Sequence, residues 1–314
     1  MKERNLGKSG LRVSLVGLGC NNFGGRIDLE ASRRVVHRAL DTGINLFDTA
    51  DIYGEQGGSE TCLGQILGDR RKDIVLATKF GMAMDKEGKL IGGSRRYMMR
   101  AVEDSLKRLR TDWIDLYQLH QPDPLTPLEE TLRGLDDLVK QGKVRYIGCS
   151  NLAAWQVALS QETSARLNLN SFVSCQDEYS LLVRNVVEGQ LDAAMKHYGM
   201  SLLPFFPLAS GMLTGKYKRN APMPQGARLT HTQRLAERYV TDANWPIVEQ
   251  LQTFAEQRGH TLLELAFSWL AARPAVASVI AGATKAEQID GNIKAVDWAL
   301  TAEEIAEIDK ITKK

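Results

Sequence analysis

Short strand-like runs in the first half of the chain lead into side chains that ionise or hydrogen-bond: Asp48, Tyr53, Lys79 and His120. The runs are Ile44-Asn45-Leu46-Phe47 before Asp48, Ile74-Val75-Leu76-Ala77-Thr78 before Lys79, and Ile114 to Leu119 before His120, with Tyr53 in the loop after the first. Brought to one end of one sheet, these four groups make a tuned proton donor. A free phenol has a pKa of about 10, and a nearby ammonium lowers it by stabilising the phenolate. Lys79 supplies that charge, Asp48 keeps Lys79 charged and aimed, and His120 hydrogen-bonds a carbonyl oxygen where an oxyanion develops. The combination suits protonation of an alkoxide as hydride reaches a carbonyl carbon. Singly, each residue has a structural explanation: an Asp caps a helix, a strand-end Lys is solvated, a loop Tyr packs. Four compatible groups at neighbouring strand ends point to chemistry.

The elements that must position them alternate. Strands are expected at Leu15–Leu18, Ile44–Phe47, Ile74–Thr78, Ile114–Leu119, Val144–Cys149, Phe172–Cys175, Ser201–Pro204 and Val276–Ala281. Helices are expected at Glu30–Asp41, Ser59–Leu67, Ser94–Leu109, Pro127–Gln141, Asn151–Thr163, Val186–His197, Asn244–Ala272, Thr284–Val296 and Thr301–Ile311, with Gly43, Gly142 and Gly199 as stop signals. Residues 4–13 read as a small β-hairpin turning at Lys8-Ser9-Gly10. Eight strand–helix alternations without a linker predict a closed (β/α)8 barrel, an α/β fold in one domain over residues 1–314, with an open doubly wound sheet as runner-up. The connection from Ser210 to about Asn244 is too long for an ordinary βα loop and is expected to lie over the barrel mouth.

Composition sets bounds on the partners. Hydrophobic content of 43% and charged content of 25% are ordinary for a soluble globular protein. Forty Lys+Arg against 38 Asp+Glu give no global reason to expect nucleic acid or an anionic membrane as partner. The opening Met-Lys-Glu-Arg-Asn lacks a secretory h-region, and Leu262 to Ala283 is interrupted by Glu264, Arg273 and Pro274, so neither a signal nor a membrane span is expected. Cys20, Cys62, Cys149 and Cys175 show no metal-ligand spacing, so no metal is expected and a cytoplasmic location fits.

Several motifs together resemble the aldo-keto reductase family. They are Phe47-Asp48-Thr49-Ala50-Asp51-Ile52-Tyr53-Gly54, Ser59-Glu60-x-x-Leu63-Gly64, Ala77-Thr78-Lys79-Phe80, Gln118-Leu119-His120, Gly148-Cys149-Ser150-Asn151, Pro207-Leu208-Ala209-Ser210-Gly211 and Thr214-Gly215-Lys216-Tyr217, in family order. The resemblance implies a (β/α)8 barrel that reduces a small-molecule aldehyde or ketone with NADPH, Tyr53 being the general acid, Lys79 and Asp48 its tuners, and His120 the group that orients the carbonyl.

The same resemblance implies a cofactor extended across the barrel mouth. Gly19, Cys20 and Asn21 would line the nicotinamide side, with Asp48 near the ribose. Ser150, Asn151 and Gln176 would hydrogen-bond the carboxamide, and Phe205 would stack on the ring. Pro207, Leu208 and Gly211 would run beside the pyrophosphate, Thr214 and Lys216 would reach its oxygens, and Arg228 would clasp the same region. After Gly282, a helix N-terminus with free backbone N–H groups meets the Thr284 hydroxyl and the Lys285 ammonium, a trap for the 2′-phosphate, with Gln288 and Asn292 near adenine. Thr284 also reads as a helix N-cap. Phe23, Phe80, Phe206, Trp113 and Tyr97 are the aromatic residues expected near a substrate. The glycine-rich run Gly17 to Gly25 has the wrong spacing for G-x-G-x-x-G and is expected to permit close backbone approach at the rim.

Two rival readings come from other classes. Gly92-Gly93-Ser94-Arg95 and the Lys216 region are similar to potassium-channel β subunits, which implies an NADPH-binding regulatory subunit with slow or vestigial reductase activity. The absence of an extra N-terminal arm weighs toward the plain enzyme. A barrel isomerase or aldolase would need Lys79 neutral as a Schiff-base nucleophile, whereas Asp48 favours its charged form. The natural carbonyl and the oligomeric state are not legible in these residues.

Overall fold

The computed structural model describes residues 1–313. The chain opens with an antiparallel hairpin of β1 (Glu3–Asn5) and β2 (Arg12–Ser14). Eight parallel strands follow: β3 (Val16–Gly19), β4 (Leu46–Asp48), β5 (Val75–Phe80), β6 (Ile114–Leu119), β7 (Val144–Ser150), β8 (Ser174–Gln176), β9 (Ser201–Leu202) and β10 (Val279–Gly282). They pair in the order β10-β3-β4-β5-β6-β7-β8-β9. A parallel bridge between Leu202 and Val276, just ahead of β10, closes the ring into a (β/α)8 barrel.

Strand parity decides which side chains reach the interior. Side chains alternate across a strand, and Leu46, Val75, Ala77 and Leu116 form an inner cluster that Leu6 and Val13 of the hairpin plug from below. Two residues further along, the same faces carry Asp48, Lys79 and Gln118, and His120 follows in step. The intervening Phe47, Leu76, Tyr117 and Leu119 pack outward into the larger layer between barrel and helices. The polar groups therefore share the inward face at the C-terminal strand ends, where barrels place their sites.

The helices around the barrel are α1 (Leu29–Asp41), α2 (Tyr53–Ile66), α3 (Arg95–Leu109), α4 (Leu128–Lys140), α5 (Ala154–Leu167), α6 (Asp192–Tyr198), α7 (Arg228–His231), α8 (Gln233–Tyr239), α9 (Trp245–Glu256), α10 (Leu262–Ala271), α11 (Glu287–Lys294) and α12 (Ala302–Thr312). Caps fix several starts: Asp28 accepts from the N–H of Ala31, Ser94 from Tyr97, and Thr261 and Thr301 form capping boxes with Glu264 and Glu304. Gly43, Gly142 and Gly199 take positive φ just past helix ends, as their stop signals predict.

The structure corrects several expected elements. The crossover expected over Asn244–Ala272 is two helices, α9 and α10, separated at Gly259 with φ +76°. The helix expected at Asn151 starts at Ala154, because Asn151 has φ +60° and cannot open a helix. The helix expected from Thr284 begins at Glu287, so Thr284 lies outside it and Ala286 is the N-cap. The long connection is not irregular throughout: it holds a tight turn at Ala209–Thr214 and the short helices α7 and α8.

Candidate active site

Asp48, Lys79, Tyr53 and His120 meet at the mouth of the barrel. Lys79 Nζ donates to Asp48 Oδ2 at 2.7 Å and to the backbone oxygen of Thr49 at 2.8 Å, and it lies 4.9 Å from the centre of the Tyr53 ring. Tyr53 and His120 meet edge to face, with ring centres 5.6 Å apart. Asp48 Oδ1 accepts from the amides of Gln118 at 3.3 Å and Gln176 at 2.9 Å, so both carboxylate oxygens are engaged. Lys79 is fully buried behind Asp48 and Tyr53, which face the cavity with His120.

Tyr53 reaches its place through a left-handed turn. Gly54, Glu55, Gln56 and Gly57 all take positive φ before α2 settles into helical geometry. A Cβ on Gly54 would meet Phe23 O at 2.3 Å and Ser59 N at 2.6 Å, so only glycine fits there. That turn holds the start of α2 against the glycine-rich segment after β3, which places the phenol over Lys79.

Burial decides the electrostatics. Burial alone would push the Lys79 ammonium down, but Asp48 and Tyr53 together hold it above the usual lysine range. For Tyr53, burial pushes the phenol up, and the opposing pull of Lys79 does not overcome it, with Asp48 adding to the rise. Lys79 thus acts in the direction the sequence predicts, yet the net shift is upward because the enclosure of the phenol at the cavity floor penalises a phenolate. Burial, aided by Lys79, holds His120 well below the ordinary histidine range, so the imidazole is neutral.

The four groups sit at the floor of a cavity of about 880 Å³, toward the upper end for small-molecule sites. Gly19, Cys20, Asn21, Ser150, Asn151, Gln176, Phe205, Pro207, Leu208, Gly211, Thr214, Lys216, Arg228, Gly282, Thr284, Lys285 and Gln288 all line it. Asn292 does not; it is buried on α11 away from the cavity. The backbone N–H groups of Thr284 and Lys285 are not free, since both donate to Gln288 Oε1, at 2.7 and 3.2 Å. Ser150 Oγ donates to Gln176 O at 2.7 Å, and Asn151 Nδ2 donates to His120 O and Ser150 Oγ, each at 3.0 Å. What these residues leave for a bound amide are acceptors, Asn151 Oδ1 and Gln176 Oε1.

Among the expected aromatic residues, Phe206 lines the cavity with the Arg228 guanidinium over its ring. Phe23 and Phe80 are wholly buried outside it, Tyr97 is buried against Asp51, and Trp113 sits at the opposite end of β6, bonded to Asp115. Met82 and Val186 occupy the wall instead.

Arg26, Arg234, Arg238, Asp177 and Glu178 also line the cavity, and sequence patterning did not mark them. Glu178 accepts from Arg238 and from the Tyr239 hydroxyl, tying α8 to the segment after β8. Arg26 Nη2 donates to Gly226 O at 3.0 Å and so holds the long connection across the mouth. Among the described residues, Arg26, Lys216, Arg228, Arg234 and Lys285 have no carboxylate partner. Such a rim suits a ligand with several phosphate oxygens. With the amide acceptors and the aromatic wall, the residues present fit a dinucleotide cofactor. No cluster suited to a metal ion occurs among the described residues, and no helix there is long and apolar enough to cross a membrane.

A sequence model described as the aldo/keto reductase family matches residues 15–313. The chain is 36% identical to a rice (Oryza sativa subsp. japonica) protein named probable voltage-gated potassium channel subunit beta, over 100% of this chain and 97% of that one. It is 37% identical to an Arabidopsis thaliana protein of the same name, over 95% and 92%. A Schizosaccharomyces pombe protein named putative voltage-gated potassium channel subunit beta is also 37% identical, over 98% and 92%.

Proposed function

The chain belongs to the aldo/keto reductase family, and on that premise we propose that it reduces an aldehyde or ketone to an alcohol with NADPH, Tyr53 supplying the proton. The observation that carries this reading is the buried Asp48–Lys79 pair beneath Tyr53 at the floor of a cavity whose rim bears unpaired cations. The cofactor, when bound, supplies the hydride.

The chain's own groups do the rest. His120, neutral, donates to the carbonyl oxygen and holds it beside Tyr53. As the oxygen gains electron density, the Tyr53 hydroxyl transfers its proton to it, and the phenolate left behind is met by the Lys79 ammonium. Asp48, locked by Gln118 and Gln176, keeps that ammonium charged and directed. A raised Tyr53 suits reduction, because the phenol stays protonated across the physiological range.

For the cofactor, Thr214, Lys216, Arg228 and Arg26 are the residues that would meet the pyrophosphate. Phe205 would cover the nicotinamide, and Asn151 and Gln176 would accept from its carboxamide. Gly19, Cys20, Asn21, Pro207, Leu208, Gly211 and Gly282 would form close-fitting walls. Thr284 and Lys285 would take a 2′-phosphate once Gln288 releases their N–H groups. Shortening the 210–244 connection should speed cofactor exchange, since Arg26 and Glu178 hold it closed. The four cysteines, all free thiols, suit a reducing compartment such as the cytoplasm.

The relatives' names support a second reading, an NADPH-binding regulatory subunit that cycles slowly. An NADPH-oxidation screen over aldehydes and ketones, run with wild type and Tyr53→Phe, tests both. Steady turnover that Tyr53→Phe abolishes supports the enzyme. Oxidation of one bound equivalent without cycling supports the regulator, and unchanged kcat in the variant removes Tyr53 as the acid.

A further inference from the structure

Asp51 lies two residues before Tyr53, on the segment joining β4 to α2, and its backbone N–H donates to Lys79 O at 3.2 Å. Its side chain is 1% exposed and does not line the cavity. It enters a second polar cluster on the outer side of the barrel wall, buried except at Arg108, whose side chain is partly exposed. Glu60 of α2, Tyr97 and Arg108 of α3 and Tyr117 of β6 act on one another there, Asp104 acts on Tyr97, and Lys79 and Asp48 act on Tyr53.

The bonding in this cluster is unequal. Arg108 Nε donates to Glu60 Oε2 at 2.7 Å, and Thr78 Oγ1 donates to Glu60 Oε1 at 2.5 Å, so Glu60 claims the single cation. Asp51 Oδ2 accepts a long bond from the Tyr97 hydroxyl, at 3.4 Å, the neighbouring Ile52 backbone N–H also acts on the carboxylate, and Oδ1 is buried without a well-formed hydrogen bond. Two buried carboxylates beside one guanidinium cannot both ionise cheaply. Burial and the Glu60 charge push Asp51 up to about 7, against the weaker pulls of Arg108, the Ile52 backbone N–H and Tyr97. An ionised Asp51 in turn raises Tyr53.

We propose that Asp51 is a positioning residue that sets the acid strength of Tyr53 from behind: uncharged, it leaves Tyr53 a better proton donor, and ionised, a poorer one. The proposal rests on Tyr53 as the acid and adds a regulator of that acid. The sign follows from the charges. Below neutrality Asp51 takes up a proton and carbonyl reduction gains; above it the negative charge opposes a growing phenolate.

The test is single-turnover oxidation of bound NADPH by an aldehyde, from about two units below neutrality to two above. In the wild type the rate falls roughly threefold as pH rises through neutrality, a modest part of what a general acid contributes. Asp51→Asn shows no such step and stays on the fast plateau. Tyr97→Phe removes a bond that favours ionised Asp51, so its step moves to higher pH; this variant carries the test if Asp51→Asn does not fold. A merely structural role would move neither. An unchanged step in Asp51→Asn, or an unmoved one in Tyr97→Phe, overturns the proposal. Tyrosinate absorbance, read without any carbonyl as each protein minus its Tyr53→Phe counterpart, separates the two levels. Easier ionisation of Tyr53 in Asp51→Asn without turnover sinks the reductase reading and keeps the coupling. Turnover without that shift sinks the coupling alone.

Discussion

Replacing Lys79 by methionine probes the buried charge pair without emptying its site. Lys79 is fully buried and Asp48 is 4% exposed, so solvent does little to screen either charge. Methionine fills much of the lysine stem's volume, which limits the packing loss. What disappears is the ammonium that bonds Asp48 Oδ2 and Thr49 O. Asp48 then keeps its two amide donors on Oδ1 and nothing on Oδ2. Orphaning one member of a buried pair costs about 3–5 kcal/mol, a fall in Tm of about 5–8 °C for a chain of this length. The double variant Asp48→Asn/Lys79→Met removes the orphaned charge and should recover most of that loss, giving a large coupling in the double-mutant cycle. Thermal melts of the four proteins decide the matter. A Lys79→Met protein that melts with the wild type, or a double variant less stable than Lys79→Met, would refute the reasoning.

Three further outcomes follow from the site's geometry. Because His120 is held neutral well below its ordinary range, kcat/KM for reduction should show no histidine ionisation near its usual pKa of about 6.5; a limb there that His120→Gln removes would contradict the assignment. Gly54→Ala must place a methyl 2.3 Å from Phe23 O at φ +68°, so it should lose about 1–3 kcal/mol of stability and reduce kcat in proportion as Tyr53 shifts; wild-type melting would show that the turn is not required. Lys216→Ala should weaken NADPH about tenfold at low ionic strength and less at high salt, measured by fluorescence titration, and a salt-independent loss would argue against a phosphate contact.

The strand ends were legible because barrel geometry and alternation act on the sequence directly. Once Val75 and Ala77 face inward, Lys79 must as well, and Leu46 commits Asp48 in the same way. Tyr53 was readable from its place in the loop after the run that ends on Asp48 and from the motif around it, although the left-handed turn that aims it was not. The losses have specific causes. Trp113 stands near a strand end in sequence, but it is the wrong end of β6. Asn292 follows the phosphate-site motif, yet its helix starts late and turns it into the core. The N–H groups at Thr284 and Lys285 look free until the Gln288 side chain folds back onto them. Arg234 and Arg238 reach the cavity only because short helices form within a connection that reads as loop. The upward shift of Tyr53 depends on a cavity floor assembled from several strands, and no local pattern encodes that enclosure.

The central claim is that Tyr53 gives its proton to a carbonyl oxygen while Lys79 receives the resulting charge. Its most direct test is the rate of bound-NADPH oxidation by an aldehyde in single turnover, wild type against Tyr53→Phe, with NADPH affinity measured in both. The account predicts near-equal affinity and a loss of about 10²-fold or more in the rate, the scale of a removed general acid. Equal rates in the two proteins would contradict it.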